Sequence, residues 1–176
     1  MGNHLESNHR DSIGGAGRIG RDGMCGVKRA LTLIVIHCTA TRMDVDFTEQ
    51  ALLRSHLARG MKMTGYHFYI RKDGYIHSTR PLAMAGAHAK GYNAESIGIA
   101  YEGGLDVQGI PADTRTQRQK FSMRALIRVL KMDFGISRVC GHRDLSPDRD
   151  GDGVVEPHEW TKQCPCFDVA SDKWCS

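Results

Sequence analysis

The chain has 176 residues, enough for one domain with a hydrophobic core and short for two. Its 24 Lys and Arg residues against 20 Asp and Glu give a net charge of +4 without basic runs, so the composition predicts no nucleic-acid partner. The longest apolar segment, 31–36, is too short to cross a membrane, and residues 1–15 lack the apolar core of a signal peptide. We expect a monomer that is made in the cytoplasm and does not insert into membranes.

The first segment, residues 1–28, is rich in Gly, Asn, Ser, Asp and Arg without an apolar period, which predicts a flexible extension. Residues 29–176 are predicted to form one domain. Its first element is the apolar run LTLIVIH from Leu31, which indicates a strand buried on both faces of a sheet. Thr48 as N-cap and Gly60 as stop then predict a helix of about three turns.

The next elements alternate strands with a helix. Two aromatic-rich runs flank an Asp-Gly pair at 73–74, which predicts a β-hairpin. The apolar patterns predict a strand over 96–101, a helix over 116–132 and a strand over 136–140. Such interleaving is typical of an α/β domain in which helices flank a central mixed β-sheet.

Three residues of metal-ligand type stand at the ends of predicted strands or in a loop. His37 ends the first buried strand, His142 follows the last strand, and Cys164 lies in the loop KQCPC. Two imidazoles and one thiolate match three-ligand zinc sites that leave a fourth position open. The three are dispersed, however, and a lone buried histidine is more often a hydrogen-bonded core residue, so the spacing alone is only suggestive.

Five sequence blocks carry a family resemblance: VIHCTAT, GYHFYIRKDG, AHAKGYNAESIGIA, GHRDLSP and KQCPCFD. In this order, over about 31–168, they resemble the signature blocks of zinc-dependent N-acetylmuramoyl-L-alanine amidases of the type 2 class. That class includes phage lysozyme-type endolysins and the peptidoglycan recognition proteins of animals. The resemblance implies hydrolysis of the amide between the lactyl group of N-acetylmuramic acid and L-alanine. It also implies zinc as cofactor and peptidoglycan or muropeptides as partner.

The resemblance further implies roles for individual residues. His37, His142 and Cys164 become zinc ligands in a groove at the loop edge of the sheet. Tyr66 takes the position of the catalytic tyrosine, and Lys162 that of the lysine in phage-type members. A phenol and an ammonium can both stabilise the oxyanion of amide hydrolysis. From the residues alone, a packed strand tyrosine and a solvated surface lysine are the alternatives.

The block AHAKGYN is implied to line the substrate groove through His88 and Asn93. Its glycine-rich composition suits a binding rim. Asn93 has an alternative role, since its side chain can fix its own turn by hydrogen bonds to the backbone. His67 follows Tyr66 and is predicted to face away from it and to pack in the fold.

The acidic insertion 146–159 fits the spacing of an EF-hand calcium loop. The predicted ligands are Asp148, Asp150, Asp152, the carbonyl of Val154, and Glu159. The helix that should enter such a loop is missing, because strand residues and a proline precede it. Two alternatives stay open for this segment. It binds a calcium ion, which would order the chain between the zinc ligands, or it is an acidic turn held by its own hydrogen bonds.

Two rival functions and one departure from the family complete the predictions. A non-catalytic peptidoglycan-binding module is opposed by the presence of all three zinc ligands, and a calcium-binding regulatory protein by the missing helix. Cys166 stands where small polar residues are common in the family, so it is either free or disulfide-bonded. Without a signal peptide, we expect the enzyme to reach the cell wall after release or to act on imported fragments.

Overall fold

The computed structural model describes residues 26–172 and 174. Most of the predicted extension therefore lies outside the described residues. Val27, which the sequence assigned to this extension, packs against the main hydrophobic core. No helix in this part of the chain is long and apolar enough to cross a bilayer.

A five-stranded mixed sheet forms the centre of the domain. In spatial order its strands are β4 (Ile76–Ser78), β3 (Phe68–Ile70), β5 (Ser96–Tyr101), β1 (Leu33–Cys38) and β7 (Arg138–Gly141). β1 runs parallel to β5 and β7, β3 runs parallel to β5, and β4 is antiparallel to β3. A smaller parallel pair joins β2 (Thr41–Arg42) to β6 (Gly104–Leu105). β1 and β5 are buried throughout, in keeping with their predominantly apolar sequences.

The α-helices among the described residues are α1 (Glu49–Ala58) and α2 (Gln117–Phe134). Each begins after a threonine N-cap. The Thr48 hydroxyl accepts the Ala51 N–H at 3.1 Å, and Thr116 forms a reciprocal capping box with Gln119. α2 ends at Gly135, which adopts the left-handed conformation with φ 66°. These caps confirm the predicted helices, and the mixed sheet confirms the α/β fold class.

The predicted hairpin is present, but its strands are shorter than the sequence indicates. β3 starts at Phe68, and the turn places Gly74 at φ 85°. Tyr66 and His67 consequently precede the strand, so strand alternation does not set the directions of their side chains.

The side chains of β1 point alternately to the two faces of the sheet and pack in two different hydrophobic clusters. Ile34, Ile36 and Cys38 face the main core, which the buried side of α2 completes. Leu33 and Val35 belong to a separate cluster on the other face. This alternation assigns consecutive residues at the end of β1 to opposite faces of the sheet.

Candidate active site

His37 and His142 meet at the carboxyl ends of two neighbouring parallel strands. The register pairs Ile36 with Gly141, so each histidine is the next residue along its chain. Their ring centroids are 4.6 Å apart. The His142 N–H donates to the Ile36 carbonyl at 3.0 Å, which continues the strand pairing and fixes the backbone beneath the ring. Ligands commonly bind at this edge of a parallel sheet.

Cys164 reaches the same edge from the loop that follows the acidic insertion. The Arg143 N–H donates to the Cys164 carbonyl at 2.8 Å, and the Cys38 N–H donates to its sulfur at 3.3 Å. The sulfur lies 3.8 Å from His37 Nδ1. One donor atom from each of His37, His142 and Cys164 lies within 4.8 Å of the others. The structure therefore brings all three predicted ligands together.

These three residues fit a zinc ion. Burial, and then electrostatic interactions with His88, His142 and Lys162, lower the pKa of His37 well below its usual value. Burial and Lys162 lower the pKa of His142 to about 4. Both imidazoles are neutral at pH 7 and offer the lone pair that a metal requires. The nitrogen to sulfur distance of 3.8 Å is close to the roughly 3.6 Å that tetrahedral zinc imposes on such ligands.

His88 lies behind His37. Its Nδ1 is 3.0 Å from His37 Nε2, and its Nε2 is 3.4 Å from the Ser96 hydroxyl, which donates to the Tyr92 carbonyl at 2.7 Å. When His37 Nδ1 serves as a ligand, Nε2 carries the proton and donates to His88. The chain of hydrogen bonds then runs in one direction to Tyr92. Such partners fix the orientation of a ligating histidine.

Tyr66 packs beside the ligand cluster. Its ring centroid is 4.9 Å from that of His37 and 6.4 Å from that of His88. Burial, and then the nearby sulfurs of Cys164 and Cys38, raise the pKa of the phenol above its usual value. The hydroxyl is therefore protonated at neutral pH and is available as a hydrogen-bond donor.

Lys162 is an exposed residue at the rim of the same cluster. Its positive charge contributes to the lowered pKa values of both His37 and His142, which places the ammonium within electrostatic reach of the two rings. An exposed cation at this position can meet a substrate without displacing any part of the core.

Asn93 and His67 are engaged within the fold. Asn93 Oδ1 accepts the N–H groups of His88 at 2.9 Å and Ala89 at 3.0 Å. This is the turn-fixing arrangement that the sequence left open. His67 is fully buried, and its Nδ1 accepts the Gly98 N–H at 2.9 Å. The buried position of His67 agrees with the prediction that this residue packs in the fold.

The aspartates of the acidic insertion form an exposed turn. Carboxylate oxygens of Asp148, Asp150 and Asp152 lie within 4.8 Å of one another. Asp148 accepts the N–H groups of Gly151 at 2.6 Å and Gly153 at 2.9 Å. The turn is thus stabilised by its own backbone, which is the ion-free alternative.

Glu159, the last predicted calcium ligand, is fully buried. Its carboxylate accepts the N–H groups of Arg149 and Glu156. It lies in a different acidic group, with Asp150, Glu156 and His158. Calcium ligation by this residue, the three aspartates and the Val154 carbonyl stays a prediction.

Two contacts of the site were not apparent from the sequence. Cys38 sits on the opposite face of β1 from His37, yet its backbone N–H holds the Cys164 sulfur. The contact of His88 with His37 depends on the packing of the loop that carries His88. The sequence feature that accompanies this contact is a pair of glycines, Gly86 and Gly98, which make room for the His88 ring. A Cβ at Gly86 or Gly98 would lie 2.3 or 2.5 Å from the His88 ring, so both must lack a side chain.

Comparison with known protein families gives one match that spans most of the chain. The profile described as N-acetylmuramoyl-L-alanine amidase matches residues 27–166. This interval contains the two histidines, Cys164, Tyr66 and Lys162.

Individual relatives agree with the family match. The endolysin of Klebsiella phage KP32 is 32% identical over 136 residues, covering 77% of this chain and 81% of its own. The solved structure of N-acetylmuramoyl-L-alanine amidase LysC from Clostridium intestinale URNW has a TM-score of 0.61 and 33% identity, covering 78% of this chain and 77% of its own. A peptidoglycan-recognition protein of Drosophila melanogaster is 34% identical over 115 residues, 62% of each chain.

Proposed function

The chain belongs to the N-acetylmuramoyl-L-alanine amidase family, and from this premise we propose that it is a zinc enzyme acting on peptidoglycan. The bond cleaved is the amide between the lactyl group of N-acetylmuramic acid and the L-alanine of the stem peptide. The observation that carries the proposal is the meeting of His37, His142 and Cys164, whose donor atoms lie within 4.8 Å of one another.

His37, His142 and Cys164 would hold the zinc. When bound at such a site, zinc polarises a carbonyl oxygen and lowers the pKa of water to about 7. The protein keeps both imidazoles neutral by burial, and a hydrogen bond donated by His37 Nε2 to His88 would leave His37 Nδ1 as the nitrogen available to hold the metal. Both ring nitrogens of His88 have protein partners, so the geometry favours a positioning role over the predicted substrate contact.

Tyr66 would donate its protonated hydroxyl to the oxygen that gains negative charge as the amide carbon becomes tetrahedral. The raised pKa of the phenol keeps the proton in place during this step. Lys162 would add a positive charge from the exposed rim. Preorganised donors of this kind typically contribute a factor of about 100 to 1,000 in turnover each. Asn93 would shape the groove by holding the turn that carries His88.

A non-catalytic peptidoglycan-binding module is the second candidate, and the similarity to a peptidoglycan-recognition protein is the observation that favours it. A binding module has no need of three metal ligands and a protonated tyrosine around one point. The amidase is therefore the function that the geometry supports best.

The test is a digestion of purified cell-wall sacculi followed by mass spectrometry of the products. The wild-type protein should release intact stem peptides that begin with L-alanine, and a zinc chelator should abolish the release. Cys164→Ala should behave like the chelated enzyme, while Cys140→Ala, a matched loss of a sulfur away from the ligand group, should retain activity. Binding to sacculi without any released peptide under zinc-replete conditions would favour the recognition module.

The same products distinguish the two settings in which the enzyme would act. Efficient release from intact sacculi is expected of an enzyme that reaches the wall after its release from the cytoplasm. Activity confined to soluble muropeptides is expected of an enzyme that processes imported fragments.

A further inference from the structure

Two cysteine side chains touch beside the proposed zinc site without belonging to it. The sulfurs of Cys38 and Cys166 are 3.8 Å apart. Cys164, the ligand, is adjacent to Cys38, since its sulfur accepts the Cys38 N–H at 3.3 Å. The ligand group contains Cys164 and neither of the other two. The proposed mechanism therefore leaves a pair of thiols in contact and unused.

The packing around these thiols holds them side by side. A Cβ at Gly104 would lie 2.5 Å from the Cys38 sulfur, so this position accommodates the thiol only as glycine. The Tyr101 hydroxyl donates to the Pro165 carbonyl at 2.7 Å, and the Cys166 N–H donates to the Gln163 carbonyl at 2.8 Å. The loop that carries Cys166 is thereby fixed to β5 and to itself.

We propose that Cys38 and Cys166 form a disulfide when the protein meets an oxidising environment that contains small-molecule disulfides. Cys166 is partly exposed and is the point of entry, whereas Cys38 is only 4% exposed and resolves the intermediate. The sulfurs need to approach from 3.8 Å to about 2.05 Å to form the bond.

The exchange balances as two successive displacements. The Cys166 thiolate attacks one sulfur of oxidised glutathione, forms a mixed disulfide and expels one glutathione thiolate. The Cys38 thiolate then attacks the Cys166 sulfur and expels the second. The two protein thiols lose two electrons, one glutathione disulfide is reduced to two thiols, and the two thiol protons pass to them.

The cross-link would join two of the three segments that bring ligands to the site. Cys38 follows His37 at the end of β1, and Cys166 lies two residues beyond Cys164. The linked residues are 128 positions apart, so the bond would close a long loop and restrict the unfolded chain strongly. Cys164 keeps its free sulfur. The inference concerns the thiols alone and holds whether or not the amidase assignment does.

The experiment uses the full chain loaded with zinc. The protein is incubated with oxidised glutathione, denatured in an alkylating reagent and mapped by peptide mass spectrometry. The expected result is a Cys38 to Cys166 link, alkylated Cys140 and Cys164, an unchanged zinc content, and a melting temperature about 5 °C or more above that of the reduced protein. Cys166→Ser should abolish the link and the shift, whereas Cys140→Ser should preserve both.

Three results would overturn the proposal. One is full alkylation of Cys38 and Cys166 after prolonged oxidation of the wild-type protein. Another is a link through Cys164 accompanied by loss of zinc. The third is a link from either thiol to Cys25 or Cys175, which lie outside the described residues. The comparison of oxidised with reduced wild-type protein needs no variant, so a misfolded substitution would not obscure the outcome.

Discussion

Gly98→Ala tests the packing that positions His37. Gly98 lies within β5 opposite Val35 of β1, and a Cβ there would approach His88 Cδ2 to 2.5 Å and Cγ to 2.7 Å. Carbon atoms cannot come so close, so the His88 ring must move and give up its hydrogen bond to His37 Nε2. Overpacking of this kind costs about 1–3 kcal/mol of unfolding free energy. Loss of a ligand's hydrogen-bond partner typically weakens metal binding by about 10 to 100-fold.

Two assays follow this change. Urea unfolding of the metal-free protein measures the stability, and competition with a chromophoric chelator measures the zinc affinity. Gly26→Ala is the matched control, because a Cβ at Gly26 meets nothing within 4 Å. In a His88→Ala background the added methyl has room, so Gly98→Ala should cost much less stability there. Wild-type zinc affinity in the single variant, or an equal cost in both backgrounds, would refute the reasoning.

Three further predictions concern the rest of the domain. Glu102 is fully buried, and its carboxylate accepts from Arg71 Nε at 2.8 Å, so Glu102→Ala should lower the unfolding free energy in urea by about 3–5 kcal/mol. Burial lowers the pKa values of His56 and His67 from 6.5 to about 4, so the neutral rings support the fold above pH 6.5 and that stability is lost as pH falls toward 4. The unfolding free energy of the metal-free protein in urea should fall between pH 7 and 5 by about 2 kcal/mol for each of these two histidines, in addition to the loss from His37 and His142, and a pH-independent free energy would contradict this prediction. Calorimetric titration of calcium into chelator-stripped protein tests whether the turn over 148–159 binds a calcium ion. Absence of heat and of any shift in melting temperature would rule out calcium binding there.

Much of the fold follows from local sequence signals. The apolar run of β1 indicates a strand buried on both faces, the pattern over 96–101 indicates the strand β5, and Thr48 and Thr116 mark helix starts because their hydroxyls cap free N–H groups. The sequence indicates that His37 and His142 lie near the carboxyl ends of strands, but it is the pairing of β1 with β7 in the structure that brings the two residues together. Local chemistry is sufficient wherever a residue's role depends on its own element.

The rest of the site depends on contacts between distant segments. The nearness of Cys38 to Cys166 joins residues 128 positions apart through a loop without periodic pattern. Likewise, the hydrogen bond between His37 and His88 requires the rim loop to fold over β5 at Gly98. Tyr66 falls outside the strand predicted for it because β3 starts at Phe68. Tertiary packing decides each of these, and no propensity or spacing encodes it.

The most direct test of the central claim is the rate of stem-peptide release as zinc is added to chelator-treated protein. The rate should rise in proportion to zinc and reach its plateau at one ion per chain. Cys164→Ala should remain at the background rate at the same zinc concentrations. Full activity in the chelated wild-type protein, or a Cys164→Ala variant that follows the wild-type curve, would contradict an amidase centred on His37, His142 and Cys164.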